Sequence, residues 1–234
     1  MYRNLDPAAI VRTVAALRRR IDDRFPDSGL SKVAVELLDV ANEARQRAKF
    51  IARPHFALRG ACVIAVVLTL AVLAGLLAMI KLEDEQLTWV TLVQLVESGL
   101  NDLVLLGAGL FFLITLETRI KRRRAMQAIH ELRSLAHVID MHQLTKDPQA
   151  LLGEGPATQH SPERVLSPYE LARYLDYCSE MLSLVGKMAA LYVEKFDDSV
   201  ALAAVDSIED LTTGLSRKIW QKITLLESHA EPQT

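Results

Sequence analysis

The chain has 234 residues, 50% hydrophobic and 24% charged, with a formal net charge of −2. That charge content excludes a wholly membrane-buried protein, the apolar content excludes general disorder, and the balanced charge gives no electrostatic case for nucleic acid. Cys62 and Cys178 belong to no CxxC or Cys/His set, so zinc-finger, redox-motif and disulfide-framework readings fail, and both read as small buried residues.

Residues 1–56 read as charged, helical and cytoplasmic. Asp6-Pro7 is a helix start, followed by Ile10, Val14, Leu17 and Ile21 at helical spacing. Phe25-Pro26-Asp27-Ser28-Gly29 closes that helix. Ser31 is expected to cap the next, whose apolar stripe is Val33, Leu37, Val40/Ala41 and Ala44/Ala48, and Arg53-Pro54 breaks it. The first apolar run begins near residue 57, too late for a cleavable signal, so it is expected to act as an uncleaved anchor.

Gly60 to Ile80 contains no charge, only Thr69 and Cys62 as polar groups, and no polar stripe. As a helix it is roughly 31 Å long, the thickness of a bilayer's hydrocarbon core. Residues 57–81 are therefore expected to be the first transmembrane helix. The second apolar run, Leu103 to Leu116, is short and must recruit its neighbours. It spans as 101–120 if Asp102 lies at one interface and Glu117 at the other. The stretch between, 82–100, reads as an acidic external link with an interfacial helix from Leu87 to Leu100, marked by Trp89.

Arg45, Arg47, Lys49, Arg53 and Arg59 precede the first span, and Arg119, Lys121, Arg122, Arg123 and Arg124 follow the second. The link and its margins carry Glu83, Asp84, Glu85, Glu97 and Asp102 against one lysine, Lys81. Bases inside and acids outside predict a hairpin with both termini cytoplasmic. The second helix is expected to continue through 121–144, with Ile129, Leu132, Ala136 and Ile139 buried. Residues 145–167 read as a Pro/Gly-rich linker (Pro148, Pro156, Pro162; Gly153, Gly155). Residues 168–234 read as a cytoplasmic helical pair. Ser167-Pro168 opens its first helix, with Leu171, Tyr174/Leu175, Cys178, Met181/Leu182, Val185, Ala189 and Tyr192 on one stripe. The second begins near Asp197-Asp198 and buries Ala201, Val205, Ile208, Leu211/Thr212, Leu215, Ile219 and Leu226. The fold class is all-α: a two-span hairpin with a cytoplasmic bundle of about five helices.

Chemistry is sparse. The densest polar run is His130 to His142. His130 and His137 stand roughly 10 Å apart along a helix axis and cannot share one ion. His137 and Asp140 can, but need a partner from another helix, such as Asp176 or Glu180. A polar seam between helices is the favoured account, with His137 and Asp140 the only metal-ligand candidates. Glu97, Asn101, Asp102 and Glu117 are membrane-edge polar groups; Glu117 has an i+4 partner in Lys121. The run Arg119, Lys121, Arg122, Arg123, Arg124 serves as topology signal or lipid-headgroup contact. Ala71, Gly75, Gly107 and Gly109 are small residues suited to helix–helix packing. No phosphate-loop, dinucleotide or nucleophile-elbow motif occurs.

The expected function is non-enzymatic and cofactor-free: a scaffold, regulatory or accessory subunit of a membrane complex, in a cell inner membrane. Its expected partners are the lipid bilayer and either its own copies or another membrane protein, and not nucleic acid. The alternatives are a homo-oligomeric ion channel or membrane-perturbing effector, and a metalloprotein using the His130–His142 helix.

Overall fold

The computed structural model describes residues 4–80, 89–146, 148, 159 and 166–230, and every regular element among these is an α-helix. In chain order they are α1 (Pro7–Arg24), α2 (Gly29–Ala52), α3 (Phe56–Ile80), α4 (Trp89–Leu144), α5 (Pro168–Ala190) and α6 (Ser199–Ala230). They belong to two compact units, residues 53–123 and residues 1–52 with 124–234.

The larger unit is held by one apolar core fed by α1, α2, the second half of α4, α5 and α6. Helix α1 starts as its sequence dictates: Asp6 accepts from the Ala8 N–H at 2.9 Å, and Pro7 needs no donor partner. Its buried residues are Ile10, Val14, Leu17 and Ile21. The corner after Arg24 is turned by Asp27, whose φ of 53° lies in the left-handed region that Asp tolerates better than most residues. Phe25 seals that corner, its ring edge-on to Tyr174 at 5.4 Å and to Tyr177 at 6.3 Å.

The α2 cap is Ser28, not Ser31. The Ser28 hydroxyl oxygen accepts from the Ser31 N–H at 3.1 Å, while Ser31 donates its own hydroxyl to Asp22 at 2.9 Å. Both serines precede the apolar stripe, and the Asp27 turn settles the choice by starting the helix at Gly29. The stripe residues Val33, Leu37, Ala41 and Ala44 are buried, joined by Leu30, Ala34 and Ile51.

Helix α5 is the centre of this unit, packed against α1, α2 and α6. Its cap is complete: Ser167 accepts from the Glu170 N–H, and Glu170 accepts from the Ser167 N–H at 2.8 Å. The Ser167 N–H and the Ser167 hydroxyl, both donating to the Glu170 carboxylate, hold it below the ordinary carboxylate range. Every residue of the expected α5 stripe is buried, and so are Tyr177, Leu184 and Met188 on a second stripe. A helix with neighbours on several sides needs that wider apolar face. At the start of α6, Asp198 accepts from the Ala201 N–H at 3.0 Å, so the acid near which the sequence placed the helix start lies just before the helix and caps it.

In the smaller unit, α3 and the apolar first half of α4 are each long and apolar enough to cross a membrane. Their large side chains are turned outward: Val63 is 62% exposed, Leu103 66% and Phe111 67%. Residues 82–88 of the expected external link, and most of the linker 145–167, lie outside the described residues. From Trp89 onward the expected interfacial helix and the second span are one element, since α4 runs without interruption to Leu144. No proline falls in that stretch, and its three glycines, Gly99, Gly107 and Gly109, each cost only about 1 kcal/mol in a helix interior.

Candidate functional site at the basic end of the apolar helices

The most developed polar site of the smaller unit forms where α3 begins and the apolar part of α4 ends. Glu117 and Lys121 are one turn apart on α4, and their carboxylate and ammonium meet at 2.7 Å. The pair is mostly enclosed, with the two side chains 15% and 11% exposed. Arg59, one turn into α3, donates from Nε to the other Glu117 oxygen at 3.2 Å. The His55 backbone N–H, at the amino end of α3, donates to Glu117 at 3.4 Å. The carboxylate thus satisfies an orphan donor and sits at the positive end of the α3 dipole. One acid therefore ties α4 to the start of α3 through one cation and a backbone amide, and holds a second cation on its own helix. The i+4 pair with Lys121 was legible from spacing. Arg59 was not, because nothing local links position 59 to position 117; the only signal was opposite charges at matching ends of two apolar runs.

The remaining bases of the run differ from one another. Arg119 lies over the Phe112 ring at 5.9 Å, and Arg123 is exposed. The Arg124 guanidinium stacks on Phe50 of α2 at 3.9 Å, inside the larger unit. Beside it Arg47 binds Glu43 at 2.6 Å and also pairs with Glu131 of α4.

Glu97, Asn101 and Asp102 are all exposed along α4. They stand on a helix that begins at Trp89, well before Asp102. Ala71 is exposed, and a Cβ placed on Gly75, Gly107 or Gly109 meets nothing within 4 Å. The close helix contact for which small residues are suited is therefore not made at these glycines by the described residues of a single chain.

The histidine-bearing part of α4 is held by structural bonds. His130 and His137 are exposed. Asp140 accepts from the Gln143 side-chain amide at 2.6 Å, and Gln143 is buried. Lys222 of α6 donates to the Gln143 side chain at 2.7 Å, to its carbonyl at 2.8 Å and to the Lys146 carbonyl at 3.2 Å. A cation on the last carbonyls of α4 satisfies orphan acceptors and opposes the helix dipole. The partners considered for a metal are engaged elsewhere: Asp176 with Arg173 at 2.8 Å, and Glu180 with Arg20 at 2.5 Å. No group of three or more potential metal ligands occurs among the described residues. Cys178 is fully buried, and burial pushes its thiol up to about 12.

The chain matches no family model, no curated protein and no solved structure.

Proposed function

We propose that this chain is an integral membrane protein of two spans with both termini in the cytoplasm of a cell with an inner membrane. In this reading the packed unit is a cytoplasmic helical bundle that serves as the scaffold or regulatory part of a membrane complex. The observation that carries the membrane reading is the outward turn of the apolar side chains on α3 and the first half of α4. Apolar surface of that extent is not left to water. Orientation rests on charge: bases gather at one end of both apolar runs and acids at the other. The mechanism is mechanical. Helix α4 belongs to both the apolar and the packed unit, and the Glu117 clasp fixes α3 to it, so a partner gripping the bundle acts on hairpin packing.

A second reading, a homo-oligomeric cation channel, draws on Glu97, Asn101 and Asp102. These three polar groups are exposed on an otherwise apolar helix that continues before and after them.

Two measurements on one preparation test these readings. Single cysteines introduced at residue 84 and near each terminus report sidedness with an impermeant maleimide applied to intact cells. Labelling at 84 alone is expected, and labelling at either terminus overturns the orientation. The mass of the nanodisc-purified complex then addresses function. A second protein carried with the chain supports the accessory-subunit reading. A homo-oligomer whose conductance is lost in Asp102→Asn overturns it in favour of the channel.

A further inference from the structure

We propose that the groove lined by Gln46, Arg47, Phe50, Arg124, Gln127 and Glu131 binds the headgroup of an anionic phospholipid. The inference rests on the membrane reading above and gives one stretch of the basic run a defined ligand. The groove offers about 470 Å³, open to solvent, between the last turns of α2 and the middle of α4.

Its chemistry suits a phosphodiester. The Arg124 guanidinium carbon lies 3.9 Å over the Phe50 ring, and a guanidinium seated on an aromatic face keeps its planar fork of N–H donors for phosphate oxygens. No carboxylate pairs with Arg124 among the described residues, whereas Arg47 already holds Glu131 and Glu43. Counting Arg47, Arg124 and Glu131, the groove lining carries one net positive charge, the complement of a singly charged phosphodiester. Gln46 and Gln127 are exposed on the same lining and add neutral donors for phosphate or headgroup hydroxyls.

The chain itself selects lipid over free phosphate. It leaves the packed unit for the apolar helices at two places, after Ala52 and before Arg124, and both border this groove. Arg124 lies eight positions after Leu116, the end of one uncharged run, and Phe50 lies ten positions before Gly60, the start of the other. A headgroup is thus supplied at the high local concentration of a membrane surface, where basic residues act within about a Debye length.

The test compares nanodiscs of phosphatidylcholine with nanodiscs containing phosphatidylglycerol, scoring the lipids retained on release by native mass spectrometry. The wild-type chain is expected to retain phosphatidylglycerol preferentially. Arg124→Gln should weaken that preference about fivefold, the ordinary worth of one cation at an anionic surface. Arg19→Gln, an exposed α1 cation outside both the groove and the basic run, should leave it unchanged. Phe50→Leu is the second variant, removing the stacking platform while keeping an apolar side chain, and should weaken retention without loss of the thermal midpoint in phosphatidylcholine. Equal retention by wild type, Arg124→Gln and Phe50→Leu overturns the proposal. So does displacement of the lipid by excess inorganic phosphate, which would mark a free-phosphate site. Failure of the chain to enter either nanodisc overturns the membrane reading itself, a result distinct from entry without lipid preference.

Discussion

At the scale of single residues, burial decides which charges and thiols matter. Lys121 is only 11% exposed, so its ammonium depends on Glu117 for compensation, whereas Arg59 at 62% can turn to water. Glu117→Gln removes the charge but keeps the shape, and should lower stability in detergent by about 1–3 kcal/mol, the usual penalty for stranding a buried group. Adding Lys121→Met should recover part of that loss, because a neutral pair leaves no ion uncompensated. A thermal-unfolding cycle over the four proteins reads the coupling, and strictly additive singles would show that the clasp does not hold. Cys178 gives a second residue-scale prediction. Its thiol is wholly buried and pushed up to about 12 by desolvation, against the weaker pull of Lys222 and Lys146. In a Cys62→Ala background the folded protein should resist maleimide at neutral pH and label at Cys178 only after denaturation. Rapid labelling of the folded protein would mean that α5 does not sit at the centre of its unit.

Elements differ in how much of them the sequence announces. Helical spacing in α1, α2, α5 and α6 was enough to name most of the buried residues, because the apolar stripe is a local property. The second stripe of α5, with Tyr177, Leu184 and Met188, was not, since it exists only because other helices surround α5. Caps behaved in the same way: Asp6 and Ser167 each stand before a proline and were legible, while the choice between Ser28 and Ser31 depended on the Asp27 turn. Of the charged contacts, the pairs one turn apart, such as Glu117–Lys121 and Glu43–Arg47, can be read from spacing; Arg59–Glu117, Arg47–Glu131 and Arg20–Glu180 join positions far apart in the chain. Another such meeting occurs at the first residue of α2. A Cβ on Gly29 would lie 2.5 Å from Cε1 of His142 and 3.0 Å from its Nδ1, so the imidazole rests directly on the glycine backbone. Gly29→Ala must displace that ring, near the point where Lys222 holds the end of α4. It should destabilise by about 1–3 kcal/mol, as overpacking does, despite the better helix propensity of alanine. Combining it with His142→Ala should remove most of the penalty. A gain in thermal midpoint for Gly29→Ala alone would contradict the contact.

For the whole molecule, the decisive fact is that the packed unit is discontinuous in sequence: residues 1–52 and 124–234 share one core, and the apolar segment is inserted between them. A bundle of about five helices, as read from the sequence, already requires the two N-terminal ones, and the buried side chains show how much they contribute. Helix α5 packs against α1 and α2 as well as α6, and among the largest fully buried side chains Leu17, Ile21, Leu30, Leu37 and Ile51 all come from the first 52 residues. Burial of each such side chain contributes about 1.5–3 kcal/mol relative to exposure, and a domain's total margin is about 5–15 kcal/mol. Deleting residues 1–52 should therefore unfold the packed unit, not merely shorten the protein. Phe25 would no longer cover Tyr174 and Tyr177, and Arg20 would no longer hold Glu180. Limited proteolysis of detergent-solubilised protein reads this directly. The full chain should protect α5 and α6, whereas a chain lacking residues 1–52 should be cut within both. Supplying residues 1–52 as a separate polypeptide should restore protection in proportion to its concentration, since the two segments meet only through non-covalent packing. A truncated chain that resists protease as well as the full one would place the stability of α5 and α6 in their own pairing and make the N-terminal helices an accessory layer.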